Sequence, residues 1–85
     1  MKNKTFRKRN LQLGEVIHGD KFRIIGIVFR DKTGTYDVYY KEDFIDDICY
    51  ITRSKSYVER LFGSSGKVKL TEFLRTSNYI NKLNR

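Results

Sequence analysis

Four carboxylates lie close together in the middle of the chain, at Glu42, Asp43, Asp46 and Asp47. Convergent carboxylates can hold a magnesium ion and support phosphodiester cleavage. On a helix, three of these aspartates would share a face that suits such a site. Carboxylates are also favoured at an ordinary exposed helix N-terminus by the backbone dipole, and that explanation requires no metal. We therefore expect these four residues to bind a basic protein partner rather than a metal ion.

Histidine and cysteine offer little chemistry here, because the chain has one of each, His18 and Cys49. A zinc site needs a cluster of such ligands, and an acyl-transfer triad needs a base close to its nucleophile. Cys49 also lies in an apolar stretch that is typical of a buried, inert thiol. The glycines lack the spacing of phosphate-binding loops. We expect no catalytic residue, no metal site, no cofactor and no enzymatic activity.

Positive charge is the strongest signal in the sequence. The chain has 18 Lys and Arg against 10 Asp and Glu, a formal charge of +8, which attracts polyanions whatever the fold. Aromatic residues interleave with the cations, and rings such as Phe6, Phe29 and Tyr39 could stack on unpaired bases. No major-groove motif is recognisable, so we expect single-stranded or structured RNA as the ligand. The predicted contact residues are Lys4, Arg7, Lys8, Arg9, Lys21, Arg23, Arg30, Lys32, Arg53, Lys55, Arg60, Lys67 and Lys69.

The charge is distributed unevenly along the chain. Residues 1–35 have nine basic and three acidic side chains, residues 36–51 have one basic and five acidic, and residues 52–85 have eight basic and two acidic. In residues 1–10, five cations accompany a single large apolar side chain other than the initial Met, Phe6. Burial cannot repay the ordering of such a segment, so we expect a mobile basic arm at 1–10 and one domain at 11–85. A solubilising tail or the start of an edge strand is the alternative.

The sequence also indicates a compartment. It has no apolar run long enough to cross a bilayer and no apolar segment behind its basic N-terminus, so we expect neither a membrane span nor a signal peptide. A single cysteine excludes an intrachain disulfide and fits a reducing compartment. We expect a cytoplasmic protein.

The elements that must position these residues begin with a predicted antiparallel meander. Residues 11–17 suggest a short strand, 21–30 a long strand and 36–40 a third, with turns at 18–20 and 31–35. Both faces of the long strand are apolar, which predicts a central position in the sheet. Gly26 in its middle suggests a bulge or a close backbone approach, and Gly19 suits a turn with positive φ.

The second half of the chain gives mixed signals. Residues 42–52 fit a helix or a fourth strand, and 54–62 fit a helix with a Ser56–Glu59 capping box and Gly63 just beyond its end. A loop at 63–66, a short strand at 67–70 and a helix capped by Thr71 would complete the chain. We predict the α+β class, with three to four strands packed against one or two C-terminal helices. Closure into an SH3-like barrel is the alternative.

Two resemblances add to these expectations. The stretch Gly19-Asp20-Lys21-Phe22-Arg23-Ile24, followed by Gly34, resembles the opening of SH3-like or KOW-type barrels, many of which bind RNA. In size and in its Lys, Asn, Ile and Tyr content, the chain resembles the short early proteins of T-even-type phages. Among these it is most similar to the TifA-like family, basic RNA-binding inhibitors of the ToxN endoribonuclease of a toxin–antitoxin system.

That second resemblance implies a phage-encoded accessory protein that evades host defence. It would act in the host cytoplasm by binding RNA together with an endoribonuclease toxin–RNA complex, and the acidic segment would contact the protein. Three alternatives stay open: an inhibitor that binds protein without RNA, a ribosome-associated basic protein, and a small metal-dependent nuclease. Whether the domain forms a homodimer is also open.

Overall fold

In the part of the chain that the structure describes, a four-stranded sheet has helices at 13–18 and 55–65 packed on one of its faces. The computed structural model describes residues 6–8, 11–65, 70–75, 79–80 and 82. The elements are strand β1 (Phe6–Lys8), helix α1 (Leu13–His18), strands β2 (Phe22–Arg30), β3 (Thr35–Glu42) and β4 (Ile48–Ser54), helix α2 (Lys55–Ser65) and a 3-10 turn (Leu70–Glu72). The sheet order is β1-β4-β3-β2. The predicted α+β class is confirmed, and the described strands form an open sheet rather than a closed barrel.

A three-stranded antiparallel meander is present, and its strands β2 and β3 confirm those predicted at 21–30 and 36–40. Its third strand is β4, so the strand alternative for residues 42–52 is confirmed over 48–52 and the helix alternative is wrong. The predicted first strand, 11–17, instead contains helix α1, where Leu13, Val16 and Ile17 are all buried. These three residues have the spacing of one helical face, whereas a strand would direct Val16 and Ile17 to opposite sides. Burial of all three against the sheet therefore favours the helix.

Strand β2 lies at the edge of the described sheet, so the predicted central position is wrong. Gly26 marks the expected irregularity, because the pairing with β3 shifts register between Ile24 and Gly26. Ile24 and Ile27 thereby face the same side of the sheet, and both are buried there. The outer edge is covered in its middle by the C-terminal segment, since Ile27 exchanges two backbone hydrogen bonds with Phe73 and Arg75. Both faces of this edge strand are apolar because Ile24 and Ile27 pack in one core cluster and Val28 packs with Ile80 in the other.

Strand β1 comes from the segment that was expected to be mobile. Phe6–Lys8 pairs in parallel with β4, with Phe6 opposite Ile48 and Lys8 opposite Tyr50. This part of the basic arm therefore forms an edge strand, which was the alternative interpretation. The rest of the arm, 1–5 and 9–10, lies outside the described residues.

Helix α2 confirms the predicted helix at 54–62, but its ends differ from the expectation. The cap is Ser54, whose Oγ accepts a hydrogen bond from the Tyr57 amide at 3.3 Å, so the Ser56–Glu59 box is not used. The helix continues past Gly63 to Ser65. Of the predicted strand at 67–70, only residue 70 is described, and it opens the 3-10 turn in which Thr71 also lies.

The core has one cluster on each face of the sheet. The larger lies under α1 and α2, where Tyr40, Val38 and Ile51 are fully buried. The smaller lies on the opposite face, where Tyr39 and Ile48 contact one another and Ile80.

Candidate nucleic-acid interface

Four of the predicted RNA-contacting cations meet at one end of the sheet. Arg30 ends β2 and Lys32 lies in the turn that follows. Arg53 and Lys55 lie at the junction of β4 and α2, and the Lys55 amide donates to the Gly34 carbonyl at 2.9 Å. The cross-strand register brings these distant segments together, because Arg30 pairs with Thr35 and Thr35 with Ser54. We call residues 29–35 and 52–55 the hairpin end.

The turn of the hairpin end has a defined geometry. Gly34 adopts φ of +67°, in the left-handed region where a Cβ is disfavoured, and its amide donates to the Arg30 carbonyl at 2.9 Å. The hydroxyls of Thr33 and Thr35 are 2.7 Å apart and share a hydrogen bond. The turn therefore holds Lys32 and two hydroxyl groups in place beside Arg30.

A buried carboxylate anchors the arginine of this end. Among the charged side chains that the structure describes, Asp37 is the one that is buried, with 4% of its surface exposed. Its Oδ2 accepts from Arg30 Nε at 2.9 Å and its Oδ1 accepts from the Thr52 hydroxyl at 2.8 Å. The hydrogen bond and charge of Asp37 raise the pKa of Arg30. The Arg30 side chain is nevertheless 54% exposed, so its guanidinium is oriented and still reaches solvent.

An open depression of about 520 Å³ lies directly beside this guanidinium. Its lining combines two cations, two carboxylates, three hydroxyl groups and the ring of Phe29, which is 42% exposed. Guanidinium and ammonium groups bind phosphate oxygens, hydroxyls can donate to them, and an exposed ring can stack on a base. The residues that line it are Phe29, Arg30, Asp31, Lys32, Thr33, Thr35, Asp37 and Thr52.

Other predicted cations make contacts within the protein. Arg53 donates to the carbonyls of Thr52 at 2.8 Å and Leu11 at 3.2 Å, which ties the chain before α1 to β4. Lys55 Nζ lies 2.9 Å from the Glu59 carboxylate, and this contact raises the pKa of Lys55. On the exposed side of α2, the Arg60 guanidinium lies 5.7 Å from the centre of the Tyr57 ring. Arg53 is therefore mainly structural, whereas Lys55 is half-exposed next to the turn.

Two predicted cations lie at the opposite end of the sheet, among the acidic side chains. Lys21 precedes β2, and its carbonyl accepts from the Asp43 amide at 2.9 Å. Arg23 and Lys41 line a depression with Glu42 and Asp43. We call residues 41–47 the acidic end. The structure thus does not gather the predicted set on a single surface.

The remaining predicted cations are described in part or not at all. Arg7 and Lys8 contribute backbone to β1. Lys4, Arg9, Lys67 and Lys69 lie outside the described residues.

The aromatic residues differ in what they can offer. Tyr39 was a predicted stacking platform but is buried, with its ring centre 5.3 Å from those of Phe6 and Tyr50. Burial, with the nearby Asp37 carboxylate, raises the pKa of Tyr39, although Arg30 acts in the opposite direction. Tyr39 is therefore a core residue. Phe29 is the predicted ring that remains available at the hairpin end.

The predicted carboxylate group does not form a helix. Glu42 ends β3, Asp43 and Phe44 form a turn, and Asp46 and Asp47 lie in the irregular segment before β4. The shared helical face considered for a metal site is therefore absent. Within the described part of the chain, no three His, Cys, Asp or Glu residues are grouped so as to hold a metal ion.

Sequence reasoning missed three residues that matter for these two ends. Asp37 counted simply as one of the acidic residues of the middle segment, and Thr52 had no predicted role. Phe44 lies in the segment 42–52 for which a helix was one alternative, but it is fully exposed in a turn. The alternation of side chains along β3 places Asp37 and Val38 on opposite faces of the sheet. This pattern alone does not reveal which residues Asp37 contacts.

A comparison of the chain with protein-family models, with curated proteins and with solved structures gives no match. In the described residues, none of the helices has the length and apolar content needed to cross a bilayer.

Proposed function

We propose that the protein binds RNA, and that the hairpin end is the main contact. The observation that carries this proposal is the Arg30 guanidinium, which is oriented by buried Asp37 and exposed beside an open depression. Lys32 lines the same depression, whereas Lys55 lies nearby at the start of α2 and is paired with Glu59. An arginine that is held before binding loses less side-chain freedom when it meets a phosphate.

The binding mechanism is electrostatic neutralisation with one stacking contact. Each cation that meets a phosphate of a single strand releases counterions, so affinity falls with salt with a log–log slope of about −0.7 per contact. On this slope, one contact raises the affinity about eightfold when salt is lowered from ~1 M to ~0.05 M, and about threefold when it is lowered from ~1 M to ~0.2 M. Phe29 supplies a sequence-tolerant platform for one base.

The biological setting that we propose follows from the resemblance to phage early proteins. The protein would be a phage-encoded cytoplasmic accessory factor that inhibits a toxin–antitoxin endoribonuclease through its RNA complex. The overall charge of +8 supports the RNA part of this proposal. Nuclease treatment during co-purification separates it from an inhibitor that needs no RNA, because a toxin contact that survives the nuclease would favour direct protein binding.

The test compares two charge reversals at exposed positions near opposite ends of the sheet. Lys32→Glu changes the hairpin end, and Lys21→Glu is the matched control near the acidic end. Binding of a labelled single-stranded RNA would be followed by fluorescence anisotropy at several salt concentrations. We expect Lys32→Glu to lose about eightfold or more in affinity at ~0.05 M salt and to reduce the salt slope. Lys21→Glu should change both much less.

Two outcomes would overturn parts of this proposal. Equal losses in the two variants would mean that RNA responds to the overall charge, and the hairpin end would not be a defined site. No binding by the unaltered protein at low salt would remove the RNA proposal itself.

A further inference from the structure

Phe44 is the most exposed large apolar side chain among the described residues, at 106% of its reference surface. Its backbone has φ of +67°, which is rare and unfavourable for a residue with a Cβ. The neighbouring Ile45 is 42% exposed. A ring in full contact with water adds nothing to the core, and a strained backbone costs free energy, so neither feature serves the stability of the isolated chain.

Negative charge predominates around this pair of apolar residues, because residues 41–47 have four acidic side chains against one basic one, Lys41, although Arg23 of β2 lines the same depression. Asp43 and Asp46 are exposed on either side of them, and Glu42 is half-buried nearby. Apolar anchors surrounded by charge are typical of protein contact sites, in which the anchor enters a pocket and the charges select the partner. The partner of the acidic end should therefore combine a basic surface with an open depression that has an apolar wall.

The hairpin end of the same chain has these properties. Residues 29–35 and 52–55 have four basic side chains against one acidic one, Asp31, which also lines the depression of about 520 Å³. Arg30 and Lys32 supply positive charge beside it, and the half-exposed Phe29 ring forms part of its wall. It lies at the other end of the sheet, because β3 runs from Thr35 at the hairpin end to Glu42 at the acidic end. The eight residues of β3 run from one end to the other, so one copy cannot close this contact on itself.

We infer that the protein associates head to tail, with the acidic end of one copy docked on the hairpin end of the next. Phe44 enters the depression beside Phe29, while Asp43 and Asp46 face Arg30 and Lys32. The two surfaces in contact are different, so the interface is heterologous and each added copy leaves one end of each kind free. The inference does not depend on RNA binding, although RNA at the hairpin end would compete with the docked loop.

The test uses two variants that each damage one end. Phe44→Ser removes the anchor from a fully exposed position, so the fold is retained, and Lys32→Glu reverses a charge in the exposed turn. Each is measured by sedimentation velocity on nuclease-treated protein at low salt, with circular dichroism to check the fold. The unaltered protein should show an average mass that rises with concentration and falls when salt is added. For each variant alone, the association constant should fall by about tenfold or by a larger factor.

An equimolar mixture of the two variants is the decisive measurement. The Phe44→Ser protein keeps an intact hairpin end and the Lys32→Glu protein keeps an intact acidic end, so together they can form one complete interface. We expect the mixture to form a one-to-one dimer and nothing larger. A monomeric unaltered protein at every concentration would overturn the inference, as would a mixture that stays monomeric or a Phe44→Ser protein that associates normally. These measurements contain no RNA, so they are independent of the RNA-binding result.

Discussion

The hydrogen bonds of Asp37 predict an asymmetry between the two halves of its ion pair with Arg30. Arg30→Met removes the cation and keeps a long side chain at a half-exposed position. The buried Asp37 carboxylate then keeps the hydrogen bond from the Thr52 hydroxyl, at 2.8 Å, but has lost its cationic partner. Asp37→Asn removes the charge instead, and the freed guanidinium can turn to solvent. Loss of the arginine should therefore cost more stability than loss of the carboxylate charge.

The magnitudes follow from burial. A hydrogen bond to a charged group contributes roughly 1.5–3 kcal/mol, and exposed ion pairs contribute roughly 0–1 kcal/mol. Because Arg30 is half-exposed and Asp37 is buried, we expect Arg30→Met to lower the free energy of unfolding by about 2 kcal/mol. Asp37→Asn should lower it by about 1 kcal/mol, since the amide can still accept from Arg30 and bond to Thr52.

The assay is urea unfolding of the unaltered protein, both single variants and the double variant Arg30→Met/Asp37→Asn, fitted with a shared slope. Because the double variant no longer has an unpaired buried charge, we expect it to be more stable than Arg30→Met alone by about 1 kcal/mol. If Arg30→Met were as stable as the unaltered protein, or if the second substitution lowered stability further, the anchored-arginine interpretation would be refuted.

Two further predictions concern Tyr39 and Gly19. Folding raises the pKa of Tyr39, so the phenol of the unfolded chain ionises at a lower pH than that of the folded protein. The free energy of unfolding should therefore be constant below about pH 10 and fall as the pH rises toward the pKa of Tyr39 in the folded protein. Urea midpoints measured across this range should depend less on pH in Tyr39→Phe than in a Tyr57→Phe control; equal dependence would contradict the shift. Gly19 has an ordinary φ of −76°, but a Cβ at this position would clash with the Glu15 carbonyl. Gly19→Ala should therefore lower the free energy of unfolding by about 1–3 kcal/mol. Gly63→Ala is the control, because its Cβ would lie in open space on α2, and it should not lower the stability.

Local patterns in the sequence predicted the parts of the fold that depend on neighbouring residues. The β-branched and aromatic content of 21–30 predicted β2, and Gly26 within it indicated the register shift that the structure shows. The apolar stripe of 54–62 predicted α2. The strand predicted at 11–17 was wrong, because the alternation of Leu11 and Leu13 was given more weight than the helical spacing of Leu13, Val16 and Ile17. Packing of that helical face against the sheet decides in favour of the helix.

The site depended on contacts that local patterns do not contain. The sequence analysis predicted thirteen RNA-contacting cations and could not assign them to different surfaces. Counting charges carries no information about which end of a sheet a residue occupies. Lys21 and Lys32 looked equivalent in the sequence, yet the pairing of β2 with β3 puts them at opposite ends.

The sequence by itself determined the positive charge, a length that suits one domain, and the α+β class. The first two follow from composition and residue count, and the third from the order of apolar and polar residues along short segments. The tertiary structure decided that Asp37 is buried and orients Arg30, because Thr52 reaches it from a strand fifteen positions away. It also decided that Phe44 is exposed in a turn rather than packed on a helix. The physical reason is common to both: burial is set by which strands pair and in what register, and pairing is a property of the whole chain.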